Sequence, residues 1–211
     1  MAAGNKRCGP PYETYMKRGA ARAPRGGVRI IGGAWRSRRL AFPASEGLRP
    51  TPDRVRETVF NWLTPYLSGA TCLDLFAGSG AFGFEALSRG AARAVLVEKR
   101  LEVVAALRHS REQLKAEQAD IVYADALEYL RGPVAAFDIV FLDPPYASGM
   151  LAPCVELLDT RGWLKPDAVI YLEAPEGEAL PLPAGWRAVR SKTAGQVGYH
   201  LARRNQNQET P

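Results

Sequence analysis

From residue 71 onward the chain alternates short apolar runs with longer amphipathic stretches, a rhythm that admits few folds. TCLDLF, AVLVE, IVYA, FDIVFLD and AVIYLE read as buried strands, and the segments near 80–89, 101–117 and 149–158 as helices. Strands that alternate with helices in this way build a doubly wound α/β domain around a parallel sheet. The stretch WRAVRSKTAGQVGYHLARR adds two strand-like runs around a turn, an antiparallel hairpin that closes one sheet edge. Residues 204–211 are expected to form a frayed tail.

Upstream the pattern changes. Residues 1–27 are rich in Gly, Pro, Ala and Arg without periodicity and read as a flexible basic extension. VRII, Gly32-Gly33 and AWRSRRLAF then read as two short strands joined by a glycine turn, so that 28–50 form a small basic hairpin arm. In Thr51-Pro52-Asp53, Thr51 is placed to cap a helix with Pro52 in its first turn, and Val55, Val59, Trp62 and Leu63 give that helix one apolar face. The main domain is expected over 51–203.

Charge follows the same division. Residues 1–27 and residues 28–56 each carry +5, so against a chain total of +6 the remainder sums to −4. A basic first quarter on a mildly acidic body is the footprint of a polyanion-binding arm. In residues 1–27 alone the same charge serves equally well for solubility. Arg29, Arg36, Arg38, Arg39, Arg49 and Arg54 are the candidate contacts.

Several classes are excluded. A chain of 211 residues with 46% hydrophobic and 24% charged residues suits one globular domain with an appendage. No apolar run approaches the roughly 20 residues of a bilayer span, and the N-terminus lacks the apolar segment of a secretory signal, so a cytoplasmic protein is expected. Cys8, Cys72 and Cys154 lie far apart with only His109 and His200 as companions, which argues against disulfides and against any metal. A monomer is expected.

Two motifs carry chemistry. In Leu73-Asp74-Leu75-Phe76-Ala77-Gly78-Ser79-Gly80 a glycine-rich loop links a buried strand to a helix, where the backbone can approach a ligand and helix-start N–H groups face it. Gly78, Gly80 and Gly83 also spell GxGxxG, and Glu98 ends the next strand, so an NAD(P)-linked oxidoreductase competes with other nucleotide-like ligands. Asp74 weighs against a pyrophosphate and for the ammonium group of S-adenosylmethionine. Glu98 suits ribose hydroxyls under either reading. Asp125, with Ala126, suits either an adenine amine or a helix N-cap.

The second motif is Asp143-Pro144-Pro145-Tyr146 at the end of FDIVFLD. Ligands of open parallel sheets bind at the carboxyl ends of the strands, so this loop is expected to face the glycine loop. Prolines hold a fixed path and leave their carbonyls as acceptors. An acid and a carbonyl aimed at one point can hold both hydrogens of an NH₂ group while Tyr146 stacks on the ring that bears it.

DLFAGSG followed by DPPY resembles the class I S-adenosylmethionine-dependent methyltransferases that modify amino groups. RIIGGAWRSRRL, GLRPTPDRVRETVFNWL, FGFEALSRGA and AGQVGYHLARR resemble the bacterial RsmD family, from about Val28 to Arg203. The resemblance implies a seven-stranded, mostly parallel Rossmann-like methyltransferase sheet with an antiparallel C-terminal hairpin and a small basic N-terminal hairpin. It implies transfer of a methyl group to the N2 amine of a guanine in 16S ribosomal RNA, naked or within a partly assembled small subunit. Asp74, Phe76, Ala77, Gly78, Ser79, Gly80, Glu98, Asp125 and Ala126 would line the cofactor pocket, and Asp143 to Tyr146 would hold the guanine. A methyltransferase for DNA adenine N6 or a protein glutamine amide would use the same loop, and a non-catalytic RNA-binding assembly factor would keep the fold.

Overall fold

The computed structural model describes residues 26–43, 51–145 and 148–204. Residues 1–25 of the expected extension, Arg49, Tyr146 and residues 205–211 of the expected tail lie outside them, whereas Gly26 and Gly27, expected in the extension, open the first strand and Arg204, expected in the tail, ends the last. Two strands, β1 (Gly26–Arg29) and β2 (Arg39–Phe42), pair antiparallel in a small sheet of their own. Helix α1 (Asp53–Leu67) follows. The remaining elements are β3 (Thr71–Asp74), α2 (Ala81–Ser88), β4 (Arg93–Glu98), α3 (Leu101–Leu114), β5 (Ala119–Tyr123), α4 (Ala126–Arg131), β6 (Phe137–Leu142), α5 (Leu151–Thr160), β7 (Leu164–Pro175), β8 (Trp186–Ala194) and β9 (Val197–Arg204).

The seven strands β3 to β9 form one sheet in the order β5-β4-β3-β6-β7-β9-β8. The pairs among β3 to β7 are parallel, and β9 runs antiparallel to both β7 and β8, as the terminal hairpin requires. The chain leaves β3 for β4 and β5 on one side and returns to β6 on the other, so the crevice between the carboxyl ends of β3 and β6 is the topological switch point. Central strands are apolar on both faces because helices cover both: five of the six residues of β6 are buried. At the opposite edge Asp138 pins three strands, accepting from the Thr71 N–H (2.8 Å), the Thr71 hydroxyl (2.9 Å) and Lys165 Nζ (2.7 Å).

Helix α2 is buried along all eight residues. A helix apolar on every side needs cover on every side, and the N-terminal hairpin supplies the second cover. Ile30 and Leu40 of that hairpin join the same apolar cluster as Phe82 and Phe84. Polar contacts fix the seat: the N–H groups of Ile31 and Gly32 donate to the buried Glu85 carboxylate (2.7 and 2.8 Å), and Arg89 donates to it at 2.6 Å. Ser88 donates to the Gly32 carbonyl (2.6 Å) and accepts from the Trp35 N–H (2.9 Å).

Three expectations are corrected and one helix is added. Gly32-Gly33 does not make a tight hairpin turn. Strand pairing stops at Arg29 and Arg39, and the residues between form a loop whose glycines press on α2. Thr51 does not cap α1; the helix starts after Pro52 without a side-chain cap. Arg56, counted with the basic arm, is fully buried and donates to the carbonyls of Thr51 (3.2 Å) and Arg29 (2.9 Å) and to Asp53 (2.6 Å). It therefore ties α1 to the hairpin and is withdrawn from any polyanion. Helix α4, only six residues, was too short to show a period.

At Gly33, φ is +76° and an added Cβ would lie 1.7 Å from the Ser88 carbonyl oxygen; at Gly69, φ is +72° and such an atom meets nothing within 4 Å. Gly33→Ala thus adds a steric clash to the backbone strain of about 1–2 kcal/mol that Gly69→Ala also carries. Thermal unfolding should show Gly33→Ala losing at least about twice the Tm that Gly69→Ala loses.

Candidate active site

The loop after β3 is strung between its neighbours: the Leu75 N–H donates to the Phe141 carbonyl (3.2 Å) and the Ala77 N–H to the Val97 carbonyl (3.0 Å). It then turns through Gly78 (φ +49°) and Gly80 (φ +76°), which only glycine tolerates well. Gly80 also has no room for a side chain, since an added Cβ would stand 2.6 Å from Phe84 and 2.8 Å from Leu107. Phe76 and Gly78 are partly exposed, while Ala77, Ser79 and Gly80 are buried.

Asp74 lies beneath this loop, 3% exposed. Its Oδ2 accepts the Gly83 N–H at 3.1 Å, a donor at the start of α2. Burial pushes its pKa up to about 7, with nearby Glu98 adding to the rise and the Gly83 and Phe76 amides opposing it. Glu98, ending β4, accepts the Gly78 N–H (3.1 Å) on one oxygen, and the Arg100 N–H (2.9 Å) and Arg100 Nε (3.2 Å) on the other. Asp125 caps α4 by accepting the Leu127 N–H at 2.9 Å, so its N-cap role is real. Ala126 has its side chain in the core and offers a ligand only its backbone.

Asp143 follows β6, and Pro144 continues beside it half-buried before the exposed Pro145, whose carbonyl accepts the Ser148 N–H (3.1 Å). Two partners of Asp143 escaped the sequence reading. The Thr51 hydroxyl stands 3.3 Å from Asp143 Oδ2 and 3.2 Å from Oε1 of Glu173, near the end of β7. Tyr171 donates its hydroxyl to the same Glu173 oxygen at 2.6 Å. Asp143 has its pKa raised well above the usual range by burial first, then by the charges of Glu173 and Asp74, while the Thr51 hydroxyl opposes the rise.

Glu98, Asp74, Asp143 and Glu173 thus come from β4, β3, β6 and β7, four neighbouring strands. The edge is an acidic rim that attracts cations and N–H donors and repels phosphate. It also disposes of the dinucleotide reading, because Asp74 itself occupies the helix-start Gly83 N–H that a pyrophosphate would need. On the hairpin and α1, Arg29, Arg36, Arg38, Arg39 and Arg54 are exposed. Arg29 pairs with Asp53 (3.3 Å) and Arg38 donates to the Gln113 carbonyl (3.0 Å), both on the surface.

The profile of the family described as conserved hypothetical protein 95 matches residues 28–203. The chain is 48% identical over 186 residues to ribosomal RNA small subunit methyltransferase D of Escherichia coli strain K12, covering 88% of this chain and 94% of that one. It belongs to the methyltransferase D family. The Haemophilus influenzae methyltransferase D is 45% identical over 84% of this chain and 94% of its own length. The solved structure of Escherichia coli yhhF superposes with a TM-score of 0.79 at 48% identity, covering 85% of this chain and 99% of that one. As a methyltransferase D family member the chain is a methyltransferase, in agreement with the resemblance of its motifs.

The raised pKa of Asp74 has a measurable consequence for stability. Its neutral form is favoured in the folded protein, so its contribution is full below the usual 3.8 and is lost as pH rises through about 7. The stability difference between wild type and Asp74→Asn should shift against wild type by on the order of 4 kcal/mol between pH 4 and 7 and level off above. Chemical denaturation across that range measures it.

Proposed function

We propose that the protein transfers the methyl group of S-adenosylmethionine to the exocyclic N2 amine of a guanine in small-subunit ribosomal RNA, in the cytoplasm. The observation that carries this reading is the acidic rim at the switch point, where Asp143 and Pro144 stand beside the glycine loop. The names of the relatives supply the RNA class. The residues fit a cofactor with a sulfonium and an ammonium group and no phosphate: Asp74 lies under the loop, Glu98 beside it, and no cation among the described residues opposes Asp74.

Bound there, S-adenosylmethionine supplies an electrophilic methyl whose bond to sulfur breaks, leaving its electron pair on sulfur, as the amine nitrogen bonds to carbon. The chain's own part is binding and alignment. Backbone groups of Phe76, Ala77, Gly78, Ser79 and Gly80 would hold the cofactor's methionine and ribose, and Glu98 would accept a ribose hydroxyl. Asp125, whose Oδ1 caps α4, would offer Oδ2 to the adenine amine, beside the Ala126 backbone.

Asp143 and the Pro144 carbonyl accept the two hydrogens of the guanine amine. This turns the nitrogen lone pair toward the methyl and stabilises the positive charge that develops there. The proton then leaves to an Asp143 oxygen, for which a raised affinity is an advantage. Pro145 stiffens the loop, and Tyr146 stacks on the base, offsetting about 1–3 kcal/mol of lost stacking. Arg29, Arg36, Arg38, Arg39, Arg49 and Arg54 hold phosphates, which makes RNA affinity strongly salt-dependent.

The test supplies labelled S-adenosylmethionine to unmodified small-subunit particles, naked 16S RNA, DNA and bulk protein, and identifies the product after digestion. N2-methylguanosine is the expected product, and label confined to adenine in DNA or to glutamine in protein overturns the reading. Asp143→Ala should lower transfer by at least about a hundredfold while cofactor affinity stays nearly unchanged.

A further inference from the structure

We propose that Thr51 and Glu173 are positioning residues for the methyl transfer, acting together through Asp143, an inference that rests on the function proposed above. Thr51 has a single hydroxyl proton. It stands 3.3 Å from Asp143 Oδ2 and 3.2 Å from Glu173 Oε1, so it can donate to only one of them at a time. Glu173 Oε1 already accepts the Tyr171 hydroxyl at 2.6 Å, a short bond between buried groups. Tyr171 thereby satisfies Glu173 and leaves the Thr51 proton for Asp143.

The consequence is a carboxylate held in orientation and tuned in charge. Among the described residues, the titratable groups that face Asp143 are Asp74 from β3 and Glu173 from β7, with Tyr171 behind Glu173 and the Thr51 hydroxyl at the entry to α1. The two acids raise its proton affinity and the hydroxyl lowers it. Glu173 therefore makes Asp143 a better final acceptor for the amine proton, while the Thr51 hydroxyl favours its ionised form and aims it before the reaction. Thr51 is also the residue whose carbonyl receives Nε of the buried Arg56, the side chain that anchors the basic hairpin. The RNA-gripping element and the acid at the amine are thus joined at one residue.

The two variants shift the titration in opposite directions, which a merely structural role does not do. Glu173→Gln removes a negative charge, so Asp143 ionises at lower pH and the acid limb of the kcat profile moves down. Thr51→Val keeps the shape but removes the donor, so the limb moves up and kcat falls about tenfold or more, with RNA and cofactor KM little changed. Thr51→Ser should restore both. Each unit of displacement alters the rate on that limb roughly tenfold.

The carboxyl carbon resonance of Asp143, assigned by its loss in Asp143→Asn, gives the same titration without turnover. Opposite displacements with rescue by serine are the expected result. Unmoved limbs and an unmoved Asp143 titration, or displacement of both variants in one direction, overturn the proposal. Absence of N2-methylguanosine from wild type would instead overturn the function on which it rests.

Discussion

Like charges gathered at one end of a parallel sheet govern this structure. Glu98, Asp74, Asp143 and Glu173 reach the same edge from adjacent strands, and burial first, with repulsion from neighbouring carboxylates added to it, holds Asp74 near a pKa of about 7 and raises Asp143 well above its usual range. The rim persists because donors are built around it: the Gly83 amide on Asp74, the Gly78 amide and Arg100 on Glu98, Thr51 on Asp143 and Tyr171 on Glu173. An acid such as Asp74, poised near neutrality, gains from an arriving cation, and the electrostatic work is done in folding rather than at the moment of reaction. The same field repels phosphates from the crevice.

Helix α2 connects the two regions. Its N-terminus closes the glycine loop and its last turn carries Glu85 and Ser88, on which the hairpin is seated. Eight residues rise about 12 Å, so the basic hairpin and the loop are two ends of one rigid element. That helix is buried on every side, with the sheet below and the hairpin above. The arm is therefore part of the core, through Ile30 and Leu40, and not a free appendage.

Much of this was legible in the sequence, and the remainder was hidden for physical reasons. The apolar runs foretold the strands of the parallel sheet because both faces are covered, and the final hairpin was readable from its turn. The motif acids Asp74, Glu98 and Asp143 converge because their strands are neighbours. Glu173 escaped although it follows the same rule: TCLD, AVLVE, FDIVFLD and AVIYLE all end an apolar run in an acid. Side-chain direction was the harder problem. Thr51 has the composition of a helix cap but turns its hydroxyl to the rim, and Arg56 counts as surface charge until the hairpin is folded over it. Glu85 reads as an ordinary helical acid, because its partners are backbone amides more than fifty residues away.

The central claim is that the rim is an electrostatic site prepared for a cation. Calorimetric titration of the protein with S-adenosylmethionine at about pH 6.5, in buffers of different ionisation enthalpy, measures it directly. At that pH the ligand's amino group is already charged, so any proton exchanged comes from the protein. The account predicts net proton release on binding, reduced in Asp74→Asn, because a cation beside Asp74 lowers its pKa from about 7. Tight binding with no proton released, or with protons taken up, would contradict it.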